Sequence, residues 1–209
     1  MQDQNLKETF LSSEEIFDGK IIHVEKWQVR LPDGKTAPRE IVLHPGAAAV
    51  IPVDEDGMVT LVRQHRVAID KTTYEIPAGK LDKKGEDPFL AAQRELEEET
   101  GLRAENWQLL TTLATTPGFC NERIAIYLAT GLTQHEQHTD EDEFLNLVKM
   151  PLSEAVAHCM NGHFTDGKTI VGLLMAERVL NTAATAPCFD PAAIQRTGNG
   201  LSSRCQESN

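Results

Sequence analysis

An α/β fold, with a mixed sheet between helical layers and a small β portion ahead of it, is predicted from three observations. Short apolar runs bounded by turn residues alternate with helical patterns over residues 46–181. One helix near the middle carries capping residues at both ends. Before residue 46 the chain shows strand-like stretches around a strong turn. Three segments are therefore expected: an N-terminal β portion at 1–45, a main domain at 46–181 and a loosely held tail at 182–209.

Each element has a local reason. Residues 21–31 contain strand-like stretches, Leu31-Pro32-Asp33-Gly34 is a turn, and residues 39–43 read as the returning strand. The apolar run 47–53, the turn Asp54-Glu55-Asp56-Gly57 and the run 58–63 are expected to form a hairpin entering the core. Asp87-Pro88 opens the central helix, with Asp suited to the N-cap and Pro to the first helical position. Gly101 suits the left-handed end, with Leu102 packing behind it. Strands are predicted near 107–113, 124–130 and 144–149, and helices near 152–161 and 168–180. From about Thr182 the chain turns Ala-, Pro-, Ser- and Gly-rich with few large apolar side chains, which predicts the loose tail.

Composition excludes several classes. A length of 209 residues suits one well-buried core with a small appended element. Twenty basic against thirty-two acidic residues give a net charge of −12. That balance argues against nucleic acid or an anionic membrane as partner, because phosphate surfaces reward basic ones. The chain has no run of eighteen apolar residues, and its start, Met1-Gln2-Asp3-Gln4, lacks a basic region followed by an apolar one. Cys120, Cys159, Cys188 and Cys205 lack paired metal spacing and are too sparse for a disulfide scaffold. Reduced thiols in a cytoplasmic protein are expected.

The densest chemistry lies in Arg94-Glu95-Leu96-Glu97-Glu98-Glu99-Thr100-Gly101-Leu102. On a helix, Glu95, Glu98 and Glu99 fall within an arc of roughly 100°. Like charges three and four apart repel by a few tenths of a kcal/mol each. A hard divalent cation converts that repulsion into coordination, and Mg²⁺ favours carboxylate oxygens together with substrate phosphates. A merely solvated acidic face is the bland alternative. Against it stand the apolar stripe Phe89, Ala92 and Leu96, which lets the helix pack while presenting its acids, and Arg94, four residues before Glu98. Glu97 points away and is expected to be solvated.

From Gly79 to Leu102 the chain resembles the Nudix hydrolases, whose signature is G-x5-E-x7-R-E-U-x-E-E-x-G-U with U a bulky aliphatic residue. Glu86, Arg94, Glu95, Leu96, Glu98, Glu99, Gly101 and Leu102 fit in register. The departure is one extra residue between Gly79 and Glu86, in a Lys/Gly-rich loop where an insertion is cheap. The resemblance implies an α/β/α sandwich and metal-assisted hydrolysis of a diphosphate. It assigns Glu95, Glu98, Glu99 and the Ala78 carbonyl to Mg²⁺, with Mn²⁺ a possible substitute. Glu98 is thereby placed in the catalytic set, Arg94 orients the glutamates, and Glu86 supports the loop or the outer coordination sphere.

Features outside this box resemble the ADP-ribose pyrophosphatase group. Pro117, in Thr115-Thr116-Pro117-Gly118, lies fifteen residues past Leu102, about where that group carries a proline. Tyr74-Glu75-Ile76-Pro77-Ala78-Gly79 and Val62-Arg63-Gln64-His65-Arg66 are also similar, the latter offering Arg63 and Arg66 to phosphate oxygens. In the acidic segment Asp140-Glu141-Asp142-Glu143, either Glu141 or Glu143 matches a glutamate that assists water or metal; a solvated loop is the plain alternative. Arg39-Glu40 resembles a pair that helps bind the adenosine end across a subunit boundary, which implies a homodimer. His135 and His138 are expected to be solvated. The implied activity is Mg²⁺-dependent hydrolysis of ADP-ribose, or a related ADP-sugar, to AMP and ribose 5-phosphate. A Nudix pyrophosphatase for another nucleoside diphosphate derivative and a non-catalytic nucleotide-sensing domain are the competing readings.

Overall fold

The computed structural model describes residues 5–81, 85–137 and 144–182. The N-terminal portion is an antiparallel meander of β1 (Thr9–Asp18), β2 (His23–Arg30) and β3 (Thr36–Leu43). The turn between β2 and β3 closes through Gly34 N to Leu31 O at 2.9 Å and Leu31 N to Lys35 O at 2.7 Å. Gly34 takes a positive φ of 87°, which favours glycine. The strand β1 has no sequence signature of its own. It mixes Ser and Glu with Phe and Ile, and all its residues are exposed. Phe10 nonetheless packs edge-on against Trp27 of β2, with centroids 5.0 Å apart.

The expected hairpin around residues 54–57 is corrected by the structure. The turn itself forms: Asp54 Oδ1 accepts from Asp56 N and Met58 N at 3.0 and 2.9 Å. Its flanking strands, β4 (Ala47–Pro52) and β5 (Met58–Arg66), share the single bridge Val53–Val59 and then part into different sheets. The reason is burial. All six residues of β4 are buried, so both of its edges need strand partners. It pairs antiparallel with β7 (Ala78–Lys80) on one side and parallel with β9 (Arg123–Gln134) on the other. With β8 (Leu102–Ala114) the sheet order is β7-β4-β9-β8. The strand β5 lies between β10 (Leu145–Pro151) and β6 (Lys71–Glu75).

Alternation along β4 divides the core between helices. Ala48 and Val50 pack with Ala91, Ala92 and Leu96 of α1 (Pro88–Thr100). Ile51, pointing the other way, meets Gly172 of α3 (Gly167–Thr182), where an added Cβ would stand 3.1 Å from Ile51 Cδ1. A mixed sheet with helices on both faces is the α/β arrangement expected. The helix α2 (Leu152–Met160) follows β10 directly and buries Leu152, Ala155 and Val156. Phe89 completes the inner stripe of α1, its ring 5.5 Å from Trp107 and 5.6 Å from Tyr127.

The chain divides into two compact units, Met1–Glu177 and Arg178–Asn209. The described part of the second is the end of α3, where Thr182 Oγ1 donates to Arg178 O at 2.7 Å. The expected tail beyond residue 182 lies outside the described residues. No helix among the described residues is long and apolar enough to cross a membrane.

Candidate active site

The acidic helix is fixed at both ends by the residues its sequence supplies. Asp87 Oδ1 accepts from Phe89 N at 2.8 Å, and Pro88 begins the helix. At the other end Gly101 has φ 68° and donates to Glu97 O at 2.8 Å. A Cβ there would also come within 2.6 Å of His135 O, so space and conformation both require glycine.

This anchoring sets the three predicted carboxylates against β7. Glu99 is 3% exposed, and its Oε2 accepts from the Ala78 N–H at 3.0 Å. Glu95 is similarly buried and lies directly over Gly79; a Cβ at that position would fall inside the Glu95 carboxylate. Arg94 Nη1 donates to Glu95 Oε1 at 2.7 Å and to Glu98 Oε2 at 2.9 Å. Its Nη2 lies 3.5 Å from Glu86 Oε1. One guanidinium thus gathers three acids from the loop and the helix. Glu97 leaves this side and pairs with Arg103 at 2.6 Å, across the helix end.

In this arrangement no three acidic, His or Cys side chains among the described residues converge on one point. Arg94 stands between the oxygens of Glu95 and Glu98. The donor set still suits a hard divalent cation: it is all oxygen, carboxylate and backbone, and the bare backbone at Gly79 lets a carboxylate approach β7.

A second charged cluster adjoins the first. Glu75, 2% exposed at the end of β6, accepts from Arg66 Nε at 2.7 Å and Nη2 at 2.6 Å. It also accepts from Lys168 Nζ at 2.5 Å and Thr73 Oγ1 at 2.6 Å. Burial pushes its carboxyl upward, but the Arg66 hydrogen bonds, the Lys168 charge and hydrogen bond, and Thr73 together hold it down to about 2. Lys168 reaches Asp166 as well, at 3.1 Å. Asp166 Oδ2 in turn accepts from Thr169 N and Oγ1, and Thr169 Oγ1 accepts from Ile76 N at 2.9 Å. Glu75 precedes by three residues the Ala78 N–H that Glu99 accepts, which places this cluster beside the acidic helix.

The remaining predicted residues are dispersed. Arg63 does not join Arg66; it lies over the Tyr74 ring, 5.8 Å from the centroid. Arg39 is held by Glu8 through Nε at 3.0 Å and Nη2 at 2.5 Å, while Glu40 stands opposite Lys26 on β2. Pro117 sits in a loop fastened to the end of β3, where Val42 N donates to Phe119 O at 2.7 Å and Asn121 N to Val42 O at 3.2 Å. His135 is exposed. Glu141, Glu143 and His138 lie outside the described residues.

Residues 42–170 match the NUDIX domain family. The chain belongs to the Nudix hydrolase family. Residues 8–42 match the nucleoside diphosphate sugar hydrolase N-terminal domain, which covers the Nudix chain's β1–β3 meander. Among curated relatives, the methanol dehydrogenase activator of Bacillus methanolicus is 43% identical over 169 residues, 80% of this chain and 91% of that protein. The ADP-ribose pyrophosphatase of Bacillus subtilis (strain 168) is 41% identical over 168 residues, 79% of this chain and 90% of that protein. A crystal structure of an ADP compounds hydrolase superposes with a TM-score of 0.74 at 24% identity, covering 88% of this chain and 100% of that one; it shows the Nudix fold.

Within the Nudix box, the sequence located the carboxylates, Arg94 and both caps. It did not single out Glu75, Lys168 or Thr169. The available signal was a carboxylate placed immediately before Ile76-Pro77-Ala78, a run whose Ile76 is fully buried. A charge there requires a buried partner.

Proposed function

We propose that this Nudix hydrolase cleaves the diphosphate of ADP-ribose, or a closely related ADP-sugar, giving AMP and ribose 5-phosphate or the corresponding sugar phosphate. Water adds its oxygen to one phosphorus, the bridging P–O bond breaks, and the bridging oxygen leaves with the other phosphoryl group. The observation that carries the reading is the seating of Glu95 and Glu99 against Gly79 and Ala78 of β7. The name of the Bacillus subtilis relative supports the choice of substrate.

Glu95, Glu98, Glu99 and the Ala78 carbonyl would hold Mg²⁺, or Mn²⁺ in its place. When bound, the cation offsets diphosphate charge and activates water for attack on phosphorus. Arg94 keeps the Glu95 and Glu98 carboxylates in place. Glu141 or Glu143 positions the water and holds its proton. Arg66 faces phosphate oxygens, Pro117 shapes the loop beside the substrate, and Arg39 with Glu40 of the N-terminal sheet serves the adenosine end in a homodimer. The exposed Phe10, Ile16 and Phe17 of β1 supply the apolar area for that contact. The working compartment is the cytoplasm.

The test is AMP release from ADP-ribose, other ADP-sugars, diadenosine polyphosphates and nucleoside triphosphates, with Mg²⁺ and with EDTA. Metal-dependent AMP production selective for ADP-ribose is expected. Preference for another compound would retain the helix chemistry and remove Pro117 as a substrate marker. Binding of ADP-ribose without cleavage of any compound would overturn the enzymatic reading in favour of a sensor.

A further inference from the structure

We infer that Lys168 is a positioning residue for diphosphate binding, acting through the buried Glu75 to hold Arg66 at the edge of the site; the inference rests on the diphosphatase reading above. Arg66 is 45% exposed at its side chain, whereas its partner Glu75 is 2% exposed. An exposed arginine ordinarily samples many rotamers. Here the guanidinium is locked by two parallel bonds, from Nε and Nη2, to one carboxylate. Nη1 is not part of that fork, so one edge of the fixed cation faces away from Glu75.

The lock depends on where Glu75 itself is held. Lys168 Nζ grips Glu75 Oε2, the same oxygen that receives Arg66 Nη2. Lys168 is 11% exposed at its side chain, and Asp166 fixes its other side. Asp166 is itself tied by Thr169, whose hydroxyl accepts from the Ile76 N–H two residues before Ala78. The start of α3 therefore sets both the carboxylate that aims Arg66 and the backbone path leading to Ala78. Two cations and two carboxylates balance within the cluster, so it can be buried without net charge. Its most exposed member is the arginine, at 45% of its side chain against 22% for Asp166. A network serving stability alone would need no such exposed terminus, and apolar replacement of a buried ion cluster is often neutral.

The experiment is a binding cycle over the wild type, Lys168→Met, Arg66→Ala and the double variant. Kd is measured by calorimetry with ADP-ribose in EDTA and with inorganic pyrophosphate as a probe of the diphosphate contact alone. Thermal midpoints are recorded alongside, and Lys168→Gln serves if the Met variant does not fold. Lys168→Met is expected to weaken pyrophosphate binding by roughly tenfold, and to add nothing further once Arg66 is Ala. In steady-state kinetics it should raise KM more than it lowers kcat. A lowered thermal midpoint with unchanged pyrophosphate Kd would overturn the inference, as would full additivity with Arg66→Ala or a wild type that does not bind pyrophosphate. If the wild type binds pyrophosphate but not ADP-ribose, and the cycle still closes as expected, the substrate reading falls and the positioning role stands.

Discussion

The Ala78 N–H donates to Glu99 Oε2 at 3.0 Å, so the residue whose carbonyl we propose as a metal ligand holds, with its own nitrogen, a carboxylate proposed for the same metal. One peptide unit and one helix position are thereby locked in register. Glu98→Gln or Glu99→Gln should cut turnover by more than about 100-fold, since each removes a charge from the proposed cation site. A glutamine at 99 can still accept from Ala78, so the thermal midpoint should hold. Unchanged kcat in both variants would remove these residues from the metal set.

Gly79→Ala offers a steric test of the same seat. The added methyl group would fall on the Glu95 carboxylate and force it off β7. Overpacking of this kind costs about 1–3 kcal/mol. The Mg²⁺ dependence of AMP release should move to higher concentration. An unmoved titration would separate Glu95 from metal binding.

Stability below neutral pH should report Glu75. Its folded value, about 2, lies below the ordinary 4.5, so the stabilisation is fully present above about 4.5 and is lost as pH falls toward 2. The shift corresponds to on the order of 3 kcal/mol. Glu75→Gln should lower the thermal midpoint at pH 7, and the gap to wild type should narrow by pH 3. A gap that is constant across this range would contradict the ion-paired assignment.

Asp87→Ala tests the helix start apart from the chemistry. Losing the cap to Phe89 N should cost about 1 kcal/mol, or roughly 2–4 °C in thermal midpoint. At low temperature kcat should be nearly unchanged, as Asp87 touches none of the box carboxylates in the bonds described. A large kcat loss in a folded variant would show that the helix start also tunes the site.

Replacing Glu141 and Glu143 together by Gln should slow turnover while leaving the Kd for ADP-ribose similar. Full activity in the double variant would return that segment to an ordinary solvated loop.

What could be read from the sequence follows the range of the forces involved. The helix α1 was legible because its caps, stripe and acidic arc act within one or two turns. The 54–57 turn was legible too, but turn chemistry says nothing about which strands will pair, and β4 and β5 separated once both of β4's edges found other partners. Glu75 escaped notice for the same reason. Its cations come from nine and ninety-three residues away. Only the fold brings them together, and no local pattern announces them. Glu97 points away from the box acids as expected and, at the surface, also meets Arg103 beyond the helix end, a contact that helical periodicity does not encode.

The fastening of the Pro117 loop to the end of β3 bears on how this protein can be cut. The Val42–Phe119 and Asn121–Val42 bonds, with His44 N donating to Asn121 Oδ1 at 2.7 Å, stitch the strand of one segment to a loop of the next. A truncation made at the apparent boundary near residue 45 would strip that loop of its template. Excising the N-terminal strands is thus not a clean subtraction of a module, and a shortened chain that loses activity would say nothing by itself about a missing partner copy. The informative cut leaves residues 42–44 in place and removes only what precedes them.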